Sequence, residues 1–95
     1  MLLQGKVAVV YGAAGHVGGA VARTFAAEGA RVFLAGRTGA RVEAVARDIA
    51  AAGGVAEAAE VDALDAEAVA RHLNDVVVAA GRVDVCMNAT GFPDH

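Results

Sequence analysis

At 95 residues, with 57% hydrophobic and 20% charged side chains, the chain is sized for one small domain with one core and is not disordered in composition. A formal net charge of −3 and the absence of a basic run argue against a nucleic-acid surface. The longest apolar stretches, Val7–Tyr11 and Val76–Ala80 among them, fall far short of the roughly 20 residues that a membrane helix needs.

Val7–Tyr11 is apolar on both faces, the mark of a central strand in a parallel sheet. The run stops at Gly12-Ala-Ala-Gly15-His-Val-Gly18. A helical pattern then runs from Val17 to about Glu28, with Val17, Ala20, Val21, Thr24 and Phe25 at three- and four-residue steps as its inward face. Gly29 ends it. Arg31–Ala35 reads as a second buried strand, closed by Gly36. A second helix extends from about Ala40 to Ala52, burying Val42, Val45, Ala46 and Ile49, and Gly53-Gly54 stops it. Val55–Val61 is a third strand, weakened by Ala58 and Ala59. Asp65 caps a third helix over Ala66–Ala80, with Val69, Leu73, Val76, Val77 and Ala80 inward and Gly81 at its end. Val83–Asn88 is the fourth strand, broken by Gly91-Phe-Pro93.

The order β-α-β-α-β-α-β, with no linker between elements, predicts an α/β Rossmann-like fold. This is a doubly wound parallel sheet with right-handed crossovers and strand order 3-2-1-4. Its switch point lies between the first and fourth strands, where open α/β sheets bind ligands beyond the carboxyl ends. The glycine corner at Gly12–Gly18 and the segment Asn88–Gly91 then face one crevice.

That corner carries the chemistry. A helix N-terminus presents backbone N–H groups with no intrahelical acceptor and the positive end of the helix dipole, and the two together bind phosphate. Gly12 allows a sharp turn, Gly15 a close backbone approach to a pyrophosphate, and Gly18 close packing of helix against strand. The spacing is G-x-x-G-x-x-G rather than the commoner G-x-G-x-x-G. At the end of the second strand, a carboxylate would bind the ribose 2′-hydroxyl of NAD, whereas an arginine accommodates the 2′-phosphate of NADP. The sequence there reads Ala35-Gly36-Arg37-Thr38, with no carboxylate between Glu28 and Glu43. Arg37 offers paired N–H donors and Thr38 a hydroxyl, so the expected cofactor is NADP(H), preferred over NADH.

These residues resemble the short-chain dehydrogenase/reductase family. The resemblance covers the whole chain, as the N-terminal portion of that fold; Gly5-Lys-Val-Ala-Val-Val-Tyr-Gly12 resembles the family's first strand, with Tyr11 where a threonine is usual. Gly12–Gly18 is similar to the glycine pattern of the family's extended and atypical members; the commonest branch carries glycine where this chain has His16. Val61-Asp62-Ala63-Leu-Asp65 resembles the segment whose aspartate contacts the adenine amino group. This gives that role to Asp62, with Ala63 packing on the ring. Asp84-Val-Cys-Met-Asn88-Ala-Thr-Gly91 resembles the family's Asn-Asn-Ala-Gly motif, with Asn88 kept and Ala89 and Thr90 changed. The resemblance implies that residues 1–95 are an NAD(P)-binding Rossmann domain, incomplete at its C-terminus. The cofactor would touch Gly12, Gly15, His16, Val17, Gly18, Arg37, Thr38, Asp62, Ala63, Asn88, Ala89 and Gly91.

The family's hydride transfer between nicotinamide and an alcohol or carbonyl relies on a serine and a Tyr-x-x-x-Lys pair located after the fourth strand. Here there is no serine, one tyrosine, Tyr11, and one lysine, Lys6. Those two stand roughly 16 Å apart along an extended strand and on opposite faces, so they form no proton relay. No catalytic residue is therefore expected within this stretch. His16, His72, His95 and Cys86 lack metal-ligand spacing. Cys86 is expected as a core thiol, and His72 as a partly exposed residue flanking the third helix. His16 lies beside the phosphate corner, contributing either its ring or only its backbone N–H. Asp65 is expected to cap the helix while Asp62 meets adenine.

A single cysteine and no visible secretory leader in Met1–Lys6 fit the cytoplasm. The expected partner is a nicotinamide dinucleotide, with neither nucleic acid nor membrane. The fourth strand, left as an apolar edge, predicts self-association. Alternatives to the cofactor-binding part of a reductase are a non-catalytic module that senses NADP(H) and an inactive, truncated remnant.

Overall fold

The computed structural model describes residues 2–89. Four strands and three helices alternate: β1 (Val7–Tyr11), α1 (His16–Ala27), β2 (Arg31–Gly36), α2 (Gly39–Ala51), β3 (Val55–Glu60), α3 (Ala66–Ala80) and β4 (Val85–Asn88). The sheet is parallel, in the order β3-β2-β1-β4. Registers run from Val7 opposite Arg31 to Tyr11 opposite Ala35, and from Ala8 opposite Val85 to Tyr11 opposite Asn88. The expected fold class and strand order are the observed ones. Element boundaries differ from expectation by one or two residues at several ends; β4 starts at Val85 rather than Val83, and Gly91-Phe-Pro93 lies outside the described residues.

β1 is buried along its whole length, as its two apolar faces require. Alternate residues serve opposite sides of the sheet. Ala8 and Val10 pack with Val32, Leu34, Ala22, Ala26, Val42, Val45 and Ile49 beneath α1 and α2. Val7, Val9 and Tyr11 pack with Phe33, Ala35, Val61 and Val76 beneath α3. The layers are thus two helices, a sheet and one helix.

Three expectations about side chains are corrected. In α1 the buried residues are Gly18, Gly19, Ala22 and Ala26, not Ala20 and Thr24, which are exposed; Val21 and Phe25 only flank the core. The smallest side chains face the sheet because they let the helix come closest to it. In α3, His72 is buried alongside Val76, whereas Val77 is 45% exposed. His72 tolerates burial because the Tyr11 hydroxyl lies 3.0 Å from its Nδ1. Cys86 is exposed rather than a core thiol. It sits opposite Val9 on the α3 side of the sheet, but α3 packs over β1 and β2 and leaves β4 uncovered there.

At the sheet's amino edge, the Asp84 carboxylate accepts the Val7 amide at 2.8 Å and Arg82 Nε at 2.9 Å, while Arg82 Nη2 donates to the Gly5 carbonyl at 2.7 Å. The Val7 amide, assisted by Arg82, holds the Asp84 carboxyl below its ordinary range. This latch joins the starts of β1 and β4 and leaves the opposite edge free for function.

Candidate functional site

At the carboxyl edge the β1–α1 corner, the end of β2 and the β3–α3 loop enclose a cleft of about 300 Å³. This is the low end of the range for small-molecule sites. Gly12 starts the corner with φ +74°, a conformation that side chains resist. The amides of Gly12 and Ala13 both donate to the Ala35 carbonyl, at 2.9 and 3.1 Å, which pins the corner to the end of β2. Gly15 donates to the Gly12 carbonyl at 3.0 Å and stands at the N-cap of α1. A Cβ at Gly18 would strike the Gly12 carbonyl, so only glycine lets the helix begin this close to the turn.

The first turn of α1 contains no acidic residue, and its N-cap glycine has no side chain to satisfy the amides behind it. Val17 and Gly18 have no carbonyl four residues earlier within the helix to accept their N–H groups. Gly12, Gly15, His16, Val17 and Gly18 all line the cleft.

Across the cleft, β2 delivers Arg37 and Thr38 directly into the start of α2. Thr38 is the N-cap residue in extended conformation, yet its hydroxyl makes no capping hydrogen bond. The Arg37 guanidinium has no hydrogen-bond or ion-pair partner among the described residues. Arg23, Arg31, Arg71 and Arg82, by contrast, are each paired with a carboxylate.

The third wall is the loop after β3. Asp62 Oδ1 accepts the Leu64 amide at 2.9 Å, and the Asp62 carbonyl accepts the Asp65 amide at 3.0 Å, forming a tight turn that presents Asp62 and Ala63 to the cleft. Asp65 is occupied elsewhere: its Oδ1 accepts the amides of Glu67 and Ala68 at 3.1 and 3.2 Å and closes the start of α3. Asp65 caps α3 as the sequence predicts, while Asp62 lines the cleft. Ala89, whose amide donates to the Tyr11 carbonyl at 2.9 Å, is buried and completes the lining.

Ten of the twelve candidate residues therefore meet in one cleft. Asn88 is not among the lining residues; it stands opposite Tyr11 on β4. Gly91 lies outside the described residues. The candidate set lacks five lining residues, Ala14, Gly36, Arg41, Val61 and Leu64; of these only Arg41, in the first turn of α2, is charged. It sits four residues after Arg37, a spacing that puts side chains on neighbouring turns, and this was the available signal.

Behind the cleft, Tyr11 and His72 meet edge to face, with ring centroids 5.5 Å apart. Burial, with a lesser contribution from Cys86, pushes the Tyr11 hydroxyl up to about 12. Burial also lowers His72, against an opposing pull from Asp75. Tyr11 thus keeps its proton at neutral pH, and its hydroxyl lies 3.0 Å from His72 Nδ1. Desolvation raises the Cys86 thiol, away from the reactive thiolate. Among the described residues no three His, Cys, Asp or Glu side chains could hold a metal ion, and no helix is long and apolar enough to cross a membrane.

The family model for short chain dehydrogenase matches residues 6–95. An oxidoreductase of Bacillus subtilis designated UxuB is 38% identical over 94% of this chain and 32% of its own length. The meso-2,3-butanediol dehydrogenase of Serratia marcescens is 40% identical over 96% of this chain and 36% of its own. A metagenomic short-chain oxidoreductase, solved in complex with NADP, superimposes with a TM-score of 0.86 at 43% identity, over 90% of this chain and 39% of that one. The chain thus spans about a third of the length of the curated relatives it matches.

Proposed function

The chain belongs to the short-chain dehydrogenase family, and on that premise we propose that its cleft binds a nicotinamide dinucleotide, NADP(H) in preference to NADH. We read the chain as the cofactor-binding part of an oxidoreductase that moves hydride between nicotinamide and an alcohol or carbonyl. The observation that carries this reading is the pairing of two features in one cleft. An uncapped helix start lies on one side, and an arginine without a carboxylate partner, beside an unused threonine hydroxyl, lies on the other.

The donor set fits the group. A diphosphate needs backbone amides that approach closely; the Val17 and Gly18 amides have no acceptor within the helix, and Gly12 and Gly15 leave the approach to them clear of side chains. A 2′-phosphate needs a planar fork of donors, which Arg37 supplies with Thr38 beside it. Adenine needs a hydrogen-bond acceptor and a small apolar surface, the parts assigned to Asp62 and Ala63. The Asp62 turn bond to Leu64 holds that carboxylate in place before any ligand arrives. Ala89, with Asn88 and Gly91 of the same segment, is assigned to the ribose on the nicotinamide side. The bound cofactor supplies the hydride chemistry; these residues bind and orient it. The NADP complex of the metagenomic relative supports this assignment by similarity.

The test is calorimetric titration of the chain with NADPH and NADH. NADPH is expected to bind at least tenfold tighter, and Arg37→Ala to bring the two within about threefold, since a charge-assisted bond is worth about 1.5–3 kcal/mol. Equal affinities for the two cofactors in the unaltered chain would refute the preference. Absence of binding to either would refute the site.

A further inference from the structure

We propose that Arg41 is a second cation for the 2′-phosphate, so that Arg37 and Arg41 hold that group between them; this rests on the NADP(H) reading above. Three independent features single out Arg41. It lines the same cleft as Arg37 and Thr38. It also lines the shallower groove between α1 and α2 that adjoins the cleft at Gly15 and His16, so its side chain spans the boundary between the two. Like that of Arg37, its guanidinium has no hydrogen-bond or ion-pair partner among the described residues, although most of the chain's other arginines have found carboxylates.

Position explains the direction of its reach. Helical side chains lean toward the helix N-terminus, so a residue in the first turn of α2 projects back over Thr38 and Arg37. A guanidinium in the first turn opposes the helix dipole and is held there at a cost unless an anion sits nearby. No acidic residue occupies that turn. The Glu60 carboxylate approaches from β3, where Oε1 accepts the Gly39 amide at 3.4 Å, but Glu60 does not line the cleft. A dianionic phosphate between the two guanidiniums would satisfy both cations at once. A ribose with a free 2′-hydroxyl would leave both unpaired.

The probes are adenosine 2′,5′-bisphosphate and 5′-AMP, which differ only in the 2′-phosphate, titrated into the 95-residue chain. Arg41→Gln keeps the side-chain length and removes the charge. It is expected to weaken the bisphosphate about tenfold and leave 5′-AMP unchanged within twofold. Arg47→Ala removes the same charge further along α2, away from the cleft, and is expected to change neither. If Arg37→Ala erases the preference for the bisphosphate while Arg41→Gln preserves it, the role of Arg41 is wrong and the NADP(H) reading stands. If the unaltered chain shows no preference for the bisphosphate, both fall. An equal loss in Arg47→Ala would assign the effect to the general field of the helix and would likewise overturn the proposal.

Discussion

Three helices begin at the carboxyl edge of one sheet, and they begin in two different ways. α3 is closed by its own sequence: Asp65 accepts two first-turn amides and Glu67 adds a negative charge to the positive end of the dipole. α1 and α2 have no side-chain cap from their own N-cap residues, although Glu60 on β3 accepts the Gly39 amide of α2 in a long 3.4 Å hydrogen bond. Gly15 has no capping side chain, Thr38 does not use its own, and neither first turn holds an acid. A helix that serves only the fold satisfies its terminus internally, at a gain of about 1 kcal/mol. Two neighbouring helices around the same cleft forgo a side-chain cap, which supports the dinucleotide site proposed above.

The largest expected effect breaks the open end of α1. In Gly18→Ala the added Cβ meets the Gly12 carbonyl, which is backbone and can yield only by moving the corner away from β2. The expected loss is about 3 kcal/mol, the upper range for overpacking. That lowers the melting temperature by more than 10 °C, at about 4–8 °C per kcal/mol in a domain of this size. Dinucleotide affinity should fall with it. Thermal melts with and without NADPH check both, and an alanine variant that melts normally and binds normally would show that the corner does not depend on close approach.

Asp65→Ala sharpens the comparison from the other side. Removing the cap should cost about 1 kcal/mol, read as a fall of about 4–8 °C in melting temperature. Dinucleotide affinity should stay within twofold, because Asp65 is committed to α3 and does not line the cleft. A loss of affinity matching that of Arg37→Ala would mean that α3 also takes part in binding.

The parts legible in the sequence are those governed by local pattern. The strands announced themselves as short apolar runs, and α3 ran over the expected residues because Asp65 and Gly81 bracket it with opposite terminal chemistry. The cleft was legible because glycine spacing, Arg37 and Asp62 each act through neighbours close in sequence. The failures all depend on what lies opposite. The inward face of α1 differs from the apolar stripe because close approach to a sheet favours a stripe of small residues: Gly18, Ala22 and Ala26, at four-residue steps, face it, and the larger Val21 and Phe25 only flank the core. Cys86 looked like core because a central strand is covered on both sides, but α3 does not reach β4. His72 looked like a boundary residue because its partner, Tyr11, is 61 residues away in sequence.

That last pair gives the smallest predicted effect and probes how α3 is fastened away from its cap. Burial lowers the His72 pKa in the folded chain below its ordinary 6.5, with Asp75 opposing. The unfolded chain therefore binds the imidazole proton more readily, so stability is intact above pH 6.5 and declines as pH falls below it. Tyr11 stays protonated throughout this window, being pushed up to about 12, so the slope belongs to the histidine. Asp84, also lowered, adds its own loss only further down, in the carboxylate range. Melting temperature should thus be level from pH 7 to 9 and fall from pH 6.5 to 5. In His72→Asn, which keeps a polar atom near the Tyr11 hydroxyl but cannot titrate, the fall over that interval should vanish. A variant that retains the slope would place the titration elsewhere, and α3 would then be held by its Asp65 cap and its apolar face alone.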